Sequence, residues 1–285
     1  MSSEYWRWRF RDNPIGEPQI LLALDGGTLA AHYAVCPMLI EIEGKPAKAA
    51  LSGTTMTHPR YRGQGLFATL AERLYQQLAV SGYVMVCGFP NDQSHRGLVR
   101  DLKWQDTCEI PMFRLDSPGS IGGDHSGVNE LVQLDASFDA LWSKARPDAP
   151  IALRRDRKFL SWRLSPSSGK QYHLLRCKHG ALTTGYAAYK AFQGEMDVVD
   201  IVTIPDSGAE AQLLSALSAI CTEQKLTGMK LWMPLRNKQH LLLEKAGFHN
   251  SPPITYFAAR VLAPIGVDAS DSRNWHFSML DSDVF

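Results

Sequence analysis

Six consecutive residues, Arg62-Gly63-Gln64-Gly65-Leu66-Phe67, have the types and spacing to grip a pyrophosphate. Such a group needs several N–H donors converging on one point, with no side chain in the way. Glycines let the backbone approach. The first turn of a helix offers N–H groups without an intrahelical acceptor, at the positive end of the helix dipole. Arg60 and Arg62 add positive charge for phosphate oxygens. A glycine pair by itself more often marks an ordinary turn before a helix than an anion site. What singles this pair out is its surroundings, a strand ending at Met56-Thr57 before it and a leucine-faced helix after it.

Periodicity gives the elements that would hold this turn. EYWRWRFRDNP (4–14) reads as a short amphipathic helix stopped at Asn13-Pro14. QILLALD (19–25), TLAAHYAVCPMLIEIEG (28–44) and KAALSGTTMTHP (48–59) read as three strands. Asp25-Gly26-Gly27 and Glu43-Gly44-Lys45 are the turns between them, and Pro37 is a place for a bend. After Gly65, Leu66, Leu70, Leu74 and Leu78 recur at helical spacing up to Ser81-Gly82. YVMVCGF (83–89) is a continuous apolar run, as expected of a strand buried on both faces. NDQSHRGLVRDL (91–102) is a helix with Asn91 or Asp92 as N-cap, and TCEIPMFRL (107–115) is a further strand. An antiparallel meander followed by a crossover helix predicts a mixed sheet flanked by helices, an α/β (α+β) class.

DSPGSIGGDHSGV (116–128) is dense in Gly, Ser, Asp and Pro and reads as a linker. Helices around 135–146 and 156–164 follow, then strands YHLLRCK (172–178), ALTTGYAAYKAF (181–192) and EMDVVDIVTIP (195–205). AEAQLLSALSAICTEQ (209–224) is a helix, MKLWMP (229–234) a strand, NKQHLLLEKAG (237–247) a helix closed by Gly247, and ITYFAARV (254–261) the last strand. The second half repeats the element order of the first. The expected organisation is a domain over 1–118, a linker over 119–133, a second domain over 134–265 and a tail over 266–285. Each domain would be a mixed, mostly antiparallel sheet flanked by helices.

The bulk numbers restrict the function classes. A chain of 285 residues with 45% hydrophobic and 21% charged residues can bury a sizeable core. Thirty Lys+Arg against 29 Asp+Glu, formally +1, give no general attraction to nucleic acid or to an anionic membrane. The five cysteines, Cys36, Cys87, Cys108, Cys177 and Cys221, are odd in number and contain no CxxC. That argues against a disulfide framework or a metal site and for a reducing, cytoplasmic setting. The N-terminus lacks the apolar core of a signal peptide, and no apolar run approaches a membrane span.

THPRYRGQGLFATLAERLYQQL (57–78) resembles the signature of the GCN5-related N-acetyltransferase superfamily, whose pattern is Arg/Gln-x-x-Gly-x-Gly/Ala. Arg62, Gly65 and Phe67 fill those positions, Phe67 departing from the family's small residue. GFPNDQSHRGLVRDLKW (88–104) resembles the next family segment, in which an Asn opens a helix that closes with Gly-Phe; Lys103-Trp104 stands there instead. The resemblance covers about residues 28–115. NKQHLLLEKAGF (237–248) matches the same Asn-helix-Gly-Phe segment in the second half. The corresponding cradle there, IPDSGAEAQLL (204–214), has one glycine, and Asp206 and Glu210 would repel a pyrophosphate. The implied arrangement is a tandem protein with one acyl-CoA site and a degenerate second repeat.

The resemblance implies transfer of an acyl group, acetyl above all, from acyl-CoA to an amine by direct attack on the thioester. The cradle would be Arg62, Gly63, Gln64, Gly65, Leu66 and Phe67. Met56 and Thr57 would offer a polarising N–H, and Asn91 and Ser94 would line the pantetheine and adenosine side. No metal is implied. The acid expected in the helix after Asn91 falls on Leu98 and Val99, so no acid is visible. For the base, His32, Tyr33, Glu41 and His58 are candidates, and His32 comes first because it interrupts an apolar strand. Cys87, on a buried strand, reads as inert. Trp6, Trp8, Trp162 and Trp232 read as packing residues. WHFSMLDSDVF (275–285) reads as a docked tail, or more sharply as a strand bringing Asp281 and Asp283 to an amine. The acceptor reads as a small-molecule amine, with the oligomeric state open. A CoA-binding sensor without turnover, and an aminoacyl transferase using aminoacyl-tRNA, are the alternatives.

Overall fold

The leucine spacing after Gly65 produces the helix it predicts. Leu70, Leu74 and Leu78 lie on one buried face, against Tyr33, Val35, Ala50 and Val86 of the sheet. The structure is a computed structural model that describes residues 2–145, 147, 149–233, 239–282 and 285. In chain order its elements are α1 (Ser3–Phe10), β1 (Gln19–Asp25), β2 (Thr28–Ile42), β3 (Lys45–Thr57), α2 (Leu66–Val80), β4 (Tyr83–Gly88), α3 (Asp92–Leu102) and β5 (Gln105–Leu115). There follow β6 (Val128–Leu131), α4 (Ser137–Lys144), β7 (Ile151–Leu153), α5 (Arg157–Arg163), β8 (His173–His179), β9 (Leu182–Phe192), β10 (Glu195–Thr203), α6 (Ala209–Glu223), β11 (Met229–Trp232), α7 (His240–Lys245) and β12 (His249–Val261). The order strand-strand-strand-helix-strand-helix-strand occurs twice, as the sequence predicts. The helix start expected at Asn237 lies outside the described residues.

The chain divides into two units that cut across the expected segments 1–118, 119–133, 134–265 and 266–285. Unit 1 comprises Met1–Glu109, Ala149–Leu153 and Thr255–Trp275, and unit 2 comprises Ile110–Asp148, Arg154–Ile254 and His276–Phe285. In unit 1, β2 pairs antiparallel with β1, β3 and β7, and β3 pairs parallel with β4. The sheet is completed by residues 258–261 of β12, antiparallel to β4. Pro37 falls between the end of the β1 pairing at Val35 and the start of the β7 pairing at Ile40, where a missing N–H is tolerated. In unit 2, β10 pairs antiparallel with β9 and parallel with β11, β9 with β8, and β8 with β6. There the sheet is completed by residues 112–115 of β5, antiparallel to β11. The two repeats have thus exchanged their last strands. Strand β6 lies within the segment read as linker.

Each unit has its own core, Tyr33, Leu74, Tyr75 and Trp104 in unit 1 and Phe113, Leu213, Leu217 and Phe248 in unit 2. Cys87 and the tryptophans Trp8 and Trp232 are buried, whereas Trp6 is exposed, its ring 5.8 Å from that of Phe10. Among the described residues no helix is long and apolar enough to cross a membrane.

Unit 2 also buries charge. The Arg155 side chain is fully enclosed, 2.8 Å from Asp281 and 3.3 Å from Asp200, and it donates to Ser278 at 2.9 Å. Tyr186 donates to Asp200 at 2.5 Å. Asp281 therefore sits in a buried ion cluster, not in front of an acceptor amine, because a carboxylate this deep needs a countercharge. Asp283 lies outside the described residues. Burial and the neighbouring Arg155 guanidinium push the His276 pKa down to about 4. Folded His276 stays neutral, while the unfolded chain protonates it below about 6.5.

Two outcomes follow. A fragment of residues 1–118 lacks the strand that completes the unit 1 sheet, and it should show no cooperative unfolding transition by circular dichroism where the whole chain does. Stability should fall by about 1.4 kcal/mol per pH unit on acidification from about 6.5 toward 4 through His276. Burial-raised Asp281 works in the opposite sense, so the comparison of wild type with His276→Phe by urea unfolding isolates the histidine term, and the variant should lose that slope.

Candidate active site

Strand β3 is held on one side along its whole length and on the other along only part of it. Its pairing with β2 runs from Lys45 opposite Ile42 to Thr57 opposite Ala31. Its parallel pairing with β4 runs from Lys48 opposite Tyr83 to Leu51 opposite Cys87. Beyond Leu51, β3 runs on past the end of β4 at Gly88, and its outer edge has no paired strand there. The ladder also slips there: His32 pairs with Met56 but Ala34 with Gly53, so Thr54 and Thr55 together oppose Tyr33. This is a bulge, and Thr54 occupies it at φ +53°, a left-handed conformation rare for a β-branched residue. Its hydroxyl donates to the Gly53 carbonyl at 2.7 Å.

The bulge and ladder decide which N–H groups are available. The His58 N–H donates to the Ala30 carbonyl at 2.8 Å. By the alternation of an antiparallel ladder the Met56 N–H then turns to β2 as well, and the Thr57 N–H turns away from it, toward the open edge. Of the two residues expected to offer a polarising N–H, Thr57 has the right direction and Met56 does not.

After Thr57 the chain makes one short turn, Pro59–Tyr61, capped by His58, whose ring nitrogen accepts from the Arg60 N–H at 3.3 Å. Tyr61 donates to Asp25 in the β1–β2 turn at 2.7 Å, which fixes this loop to the sheet. Gly63 and Gly65 both take left-handed backbone, at φ +76° and +74°, and a Cβ on either would meet nothing within 4 Å. Gly65 is the N-cap of α2, and the first intrahelical bond runs from Thr69 N–H to its carbonyl at 3.0 Å. The N–H groups of Leu66, Phe67 and Ala68 precede that bond and point out of the helix end. Arg62, Gly63, Gln64 and Gly65 are exposed. Phe67 does not obstruct the turn: its ring packs inward, 5.4 Å from Tyr33, and touches the position of Gly97. An exposed loop with two left-handed glycines and free first-turn donors fits a pyrophosphate.

Asn91 and Ser94 sit at the start of α3, in the bonds of a helix cap. The Asn91 side chain accepts from the N–H groups of Gln93 and Ser94, at 3.1 and 3.0 Å, and the Ser94 hydroxyl donates back to it at 3.0 Å. His32 is half-buried and shares with Met56 the sheet face opposite to α2. The other base candidates are placed elsewhere. Tyr33 is fully buried in the core and burial raises its pKa. Glu41 pairs with Pro46 at the far end of the ladder. His58 is used as a cap. Among the described residues no group of three or more His, Cys, Asp or Glu side chains is arranged to hold a metal.

The second repeat has filled the corresponding place. Helix α6 opens on Gly208 at φ +71°, but Ala209 is 1% exposed. A Cβ at Gly185 would stand 2.9 Å from the Thr203 side chain and 3.2 Å from Ala209, so β9, β10 and the start of α6 close on one another. Glu210 sits in the first turn with its pKa raised by burial.

Residues 2–105 match the acetyltransferase (GNAT) domain family. No curated protein matches the chain in sequence. Solved structures share its fold. A probable N-acyltransferase from Enterococcus faecalis aligns at TM-score 0.70 and 14% identity, over 86% of this chain and 62% of that one. A GCN5-related N-acetyltransferase from Anabaena variabilis aligns at 0.68 and 14% identity, over 90% and 65%. A tandem GNAT protein from the clavulanic acid biosynthesis pathway aligns at 0.61 and 13% identity, over 93% and 89%. The chain spans less than two thirds of the length of the Enterococcus and Anabaena proteins. It carries a GNAT domain, and its double-domain mixed α/β fold is that of GNAT proteins.

The strained bulge gives a test of this geometry. Thr54→Gly should raise stability by about 1 kcal/mol, the cost of a left-handed non-glycine residue, as read by urea unfolding. If Thr54 is unstrained, the same change lowers stability.

Proposed function

We propose that this GNAT protein transfers an acyl group, most simply acetyl, from acyl-CoA to the amine of a small molecule. The observation that carries the reading is the run of β3 past the end of its β4 partner, directly into a helix that opens on left-handed glycines. Acyl-CoA supplies the activated thioester. The N–H groups from Gly63 to Phe67 would hold its pyrophosphate, with Arg62 adding charge. The exposed edge of β3 would pair with the amides of its extended arm, as one more strand would. The Thr57 N–H would polarise the acyl carbonyl, an interaction that strengthens as the oxygen gains charge. Asn91 and Ser94 would border the arm at the start of α3. His32, beside Met56 on the other sheet face, would take the amine's proton. The filled start of α6 supports one such site, in the first repeat. The balance of 30 Lys+Arg against 29 Asp+Glu favours a small amine over a polyanionic acceptor.

A second reading is a protein that binds acyl-CoA without turning it over. Leu98 and Val99, where an acid is expected on α3, favour it.

Calorimetry with acetyl-CoA tests the cradle. Gly65→Trp should weaken binding about a hundredfold, the loss of charge-assisted bonds to one phosphate group, while the circular dichroism of the fold is retained. Unchanged affinity would mean the cradle lies elsewhere. Amine-dependent release of free CoA thiol by wild type separates transfer from binding alone.

A further inference from the structure

Strand β1 ends the unit 1 sheet on one side. Its main chain bonds to β2 and, among the described residues, to nothing else. Such an edge is a row of outward N–H and C=O groups, a template for another strand. Proteins blunt edges of this kind with charged side chains, with Pro, or with a covering helix or loop. QILLALD carries no charge before Asp25, its last residue, and no Pro. The slip in the β1–β2 ladder adds Ala30 to β2, so β1 itself alternates without interruption. Leu21 and Ala23 pack against the core under α2. Ile20, Leu22 and Leu24 therefore lie on the other face, and they are 42, 55 and 66% exposed. Aliphatic residues exposed singly are ordinary, whereas three in succession along a bare edge form a patch.

The strand that fits this edge is β1 itself. Residues opposite one another in an antiparallel pair share a face, so two copies of β1 pair about a two-fold axis that passes beside one residue. An axis at Leu22 sets Leu22 opposite the partner's Leu22, Ile20 opposite the partner's Leu24 and Leu21 opposite the partner's Ala23. Every apolar residue then meets an apolar one. At the two ends the Gln19 amide, a donor, faces the carboxylate of the partner's Asp25. Tyr61 uses Oδ2 of Asp25, and Oδ1 remains for that contact. An axis at Leu21 instead sets Glu17 opposite the partner's Asp25, two like charges, and Pro18, which has no N–H, opposite the partner's Leu24. An axis at Ala23 sets Leu21 against the partner's Asp25. Charge complementarity thus selects the axis at Leu22.

We infer that a second copy of this chain covers β1: two copies pair antiparallel, edge to edge, through residues 19–25 about a two-fold axis at Leu22, and join their unit 1 sheets into one. Main-chain hydrogen bonds hold the two edges together. The strip Ile20, Leu22 and Leu24 of one copy continues into the same strip of its partner. The contact uses the same surface on both copies, so it closes at two. Seven residues offer about 24 Å of strand edge, short of the roughly 800 Å² per partner that a stable interface of standard size buries. The pair is therefore a weak one that forms and dissolves with concentration. Strand β2 stands between β1 and β3, so the contact leaves the edge of β3 open and is independent of the acyl-CoA reading.

Sedimentation velocity of the whole chain from about 1 to about 300 μM tests this. Wild type should pass from one copy to two across that range. Leu22→Lys sets two ammonium groups opposite each other at the axis and should stay a single copy throughout, with its circular dichroism retained because the position is more than half exposed. Cross-linking reads the register. Leu22→Cys, oxidised with diamide, should join two copies, because Cβ atoms facing each other across the axis stand about 5 Å apart. Ile20→Cys alone should not exceed wild type, whose own cysteines are buried or half-buried, because its two copies lie about 14 Å apart along the strands. A mixture of Ile20→Cys and Leu24→Cys should join as Leu22→Cys does. Wild type that stays single at about 300 μM, Leu22→Lys that still pairs, or Ile20→Cys that joins as readily as Leu22→Cys each overturns the proposal. Should Leu22→Lys unfold, the comparison of the cysteine variants decides.

Discussion

The run of β3 past its last pairing with β4, at Leu51, is the constraint around which unit 1 is arranged. A strand edge without a neighbour is costly wherever its N–H or C=O groups are buried. Here the edge of β3 stays half-exposed from Leu51 to Thr57, and water or a ligand must satisfy it. The bulge at Thr54 turns the strand as it parts. The bidentate ion pair of Arg260 with Glu72, backed by the bond from Arg260 to the Leu102 carbonyl at 2.9 Å, ties β12 to α2 and α3. The open edge of β3 is therefore held by strands and helices on its other sides, and a ligand pairing with it would meet groups already in place.

The two repeats spend their buried polarity differently. Unit 1 keeps a neutral hydrogen-bonded row, the Trp104 indole and the hydroxyls of buried Tyr75 and Tyr33 and half-buried Ser52, with no charge to desolvate. Unit 2 keeps a guanidinium between two carboxylates and uses it to hold the segment around Ser278 and Asp281. Arg163 adds bonds to the main-chain oxygens of Leu280, Ser282 and Phe285 at 3.1, 2.8 and 2.6 Å. Charged clusters of this kind fix one arrangement firmly, since breaking them strands an ion without its partner. The repeat whose helix start is filled thus holds the segment from Ser278 to Ser282, and Phe285, by charge.

Much of this was legible in the sequence, because the signals were local. Alternation, helical spacing of Leu70, Leu74 and Leu78, and the Gly63–Gly65 turn specify elements and their order within a few residues. The capping role of Asn91 was equally readable. What could not be read depends on partners far apart in the chain. The pairing of Ala258 with Gly88 joins residues separated by most of the chain, and no periodicity encodes it. The orientation of the Phe67 ring depends on Tyr33 across the core, so what its departure from the family's small residue means for the turn is not read from its position alone. Ser52 and Tyr75 looked like ordinary strand and helix residues, since the row they form spans β2, β3, α2 and Trp104. Asp281 looked available to a substrate because its countercharge, Arg155, lies in another segment.

The exchange of last strands has a consequence for how the protein comes into being. A ribosome delivers β4 long before residues 258–261, the strand that β4 needs as its neighbour. During synthesis one edge of the first sheet therefore waits uncovered while the whole second repeat is made, with Val86 and Cys87 among the residues at that edge. Open strand edges invite pairing with other chains. The nascent protein is most exposed to misassembly between the synthesis of β4 and that of β12, and the sheet that carries β3 gains its complete frame only once residues 258–261 have been made.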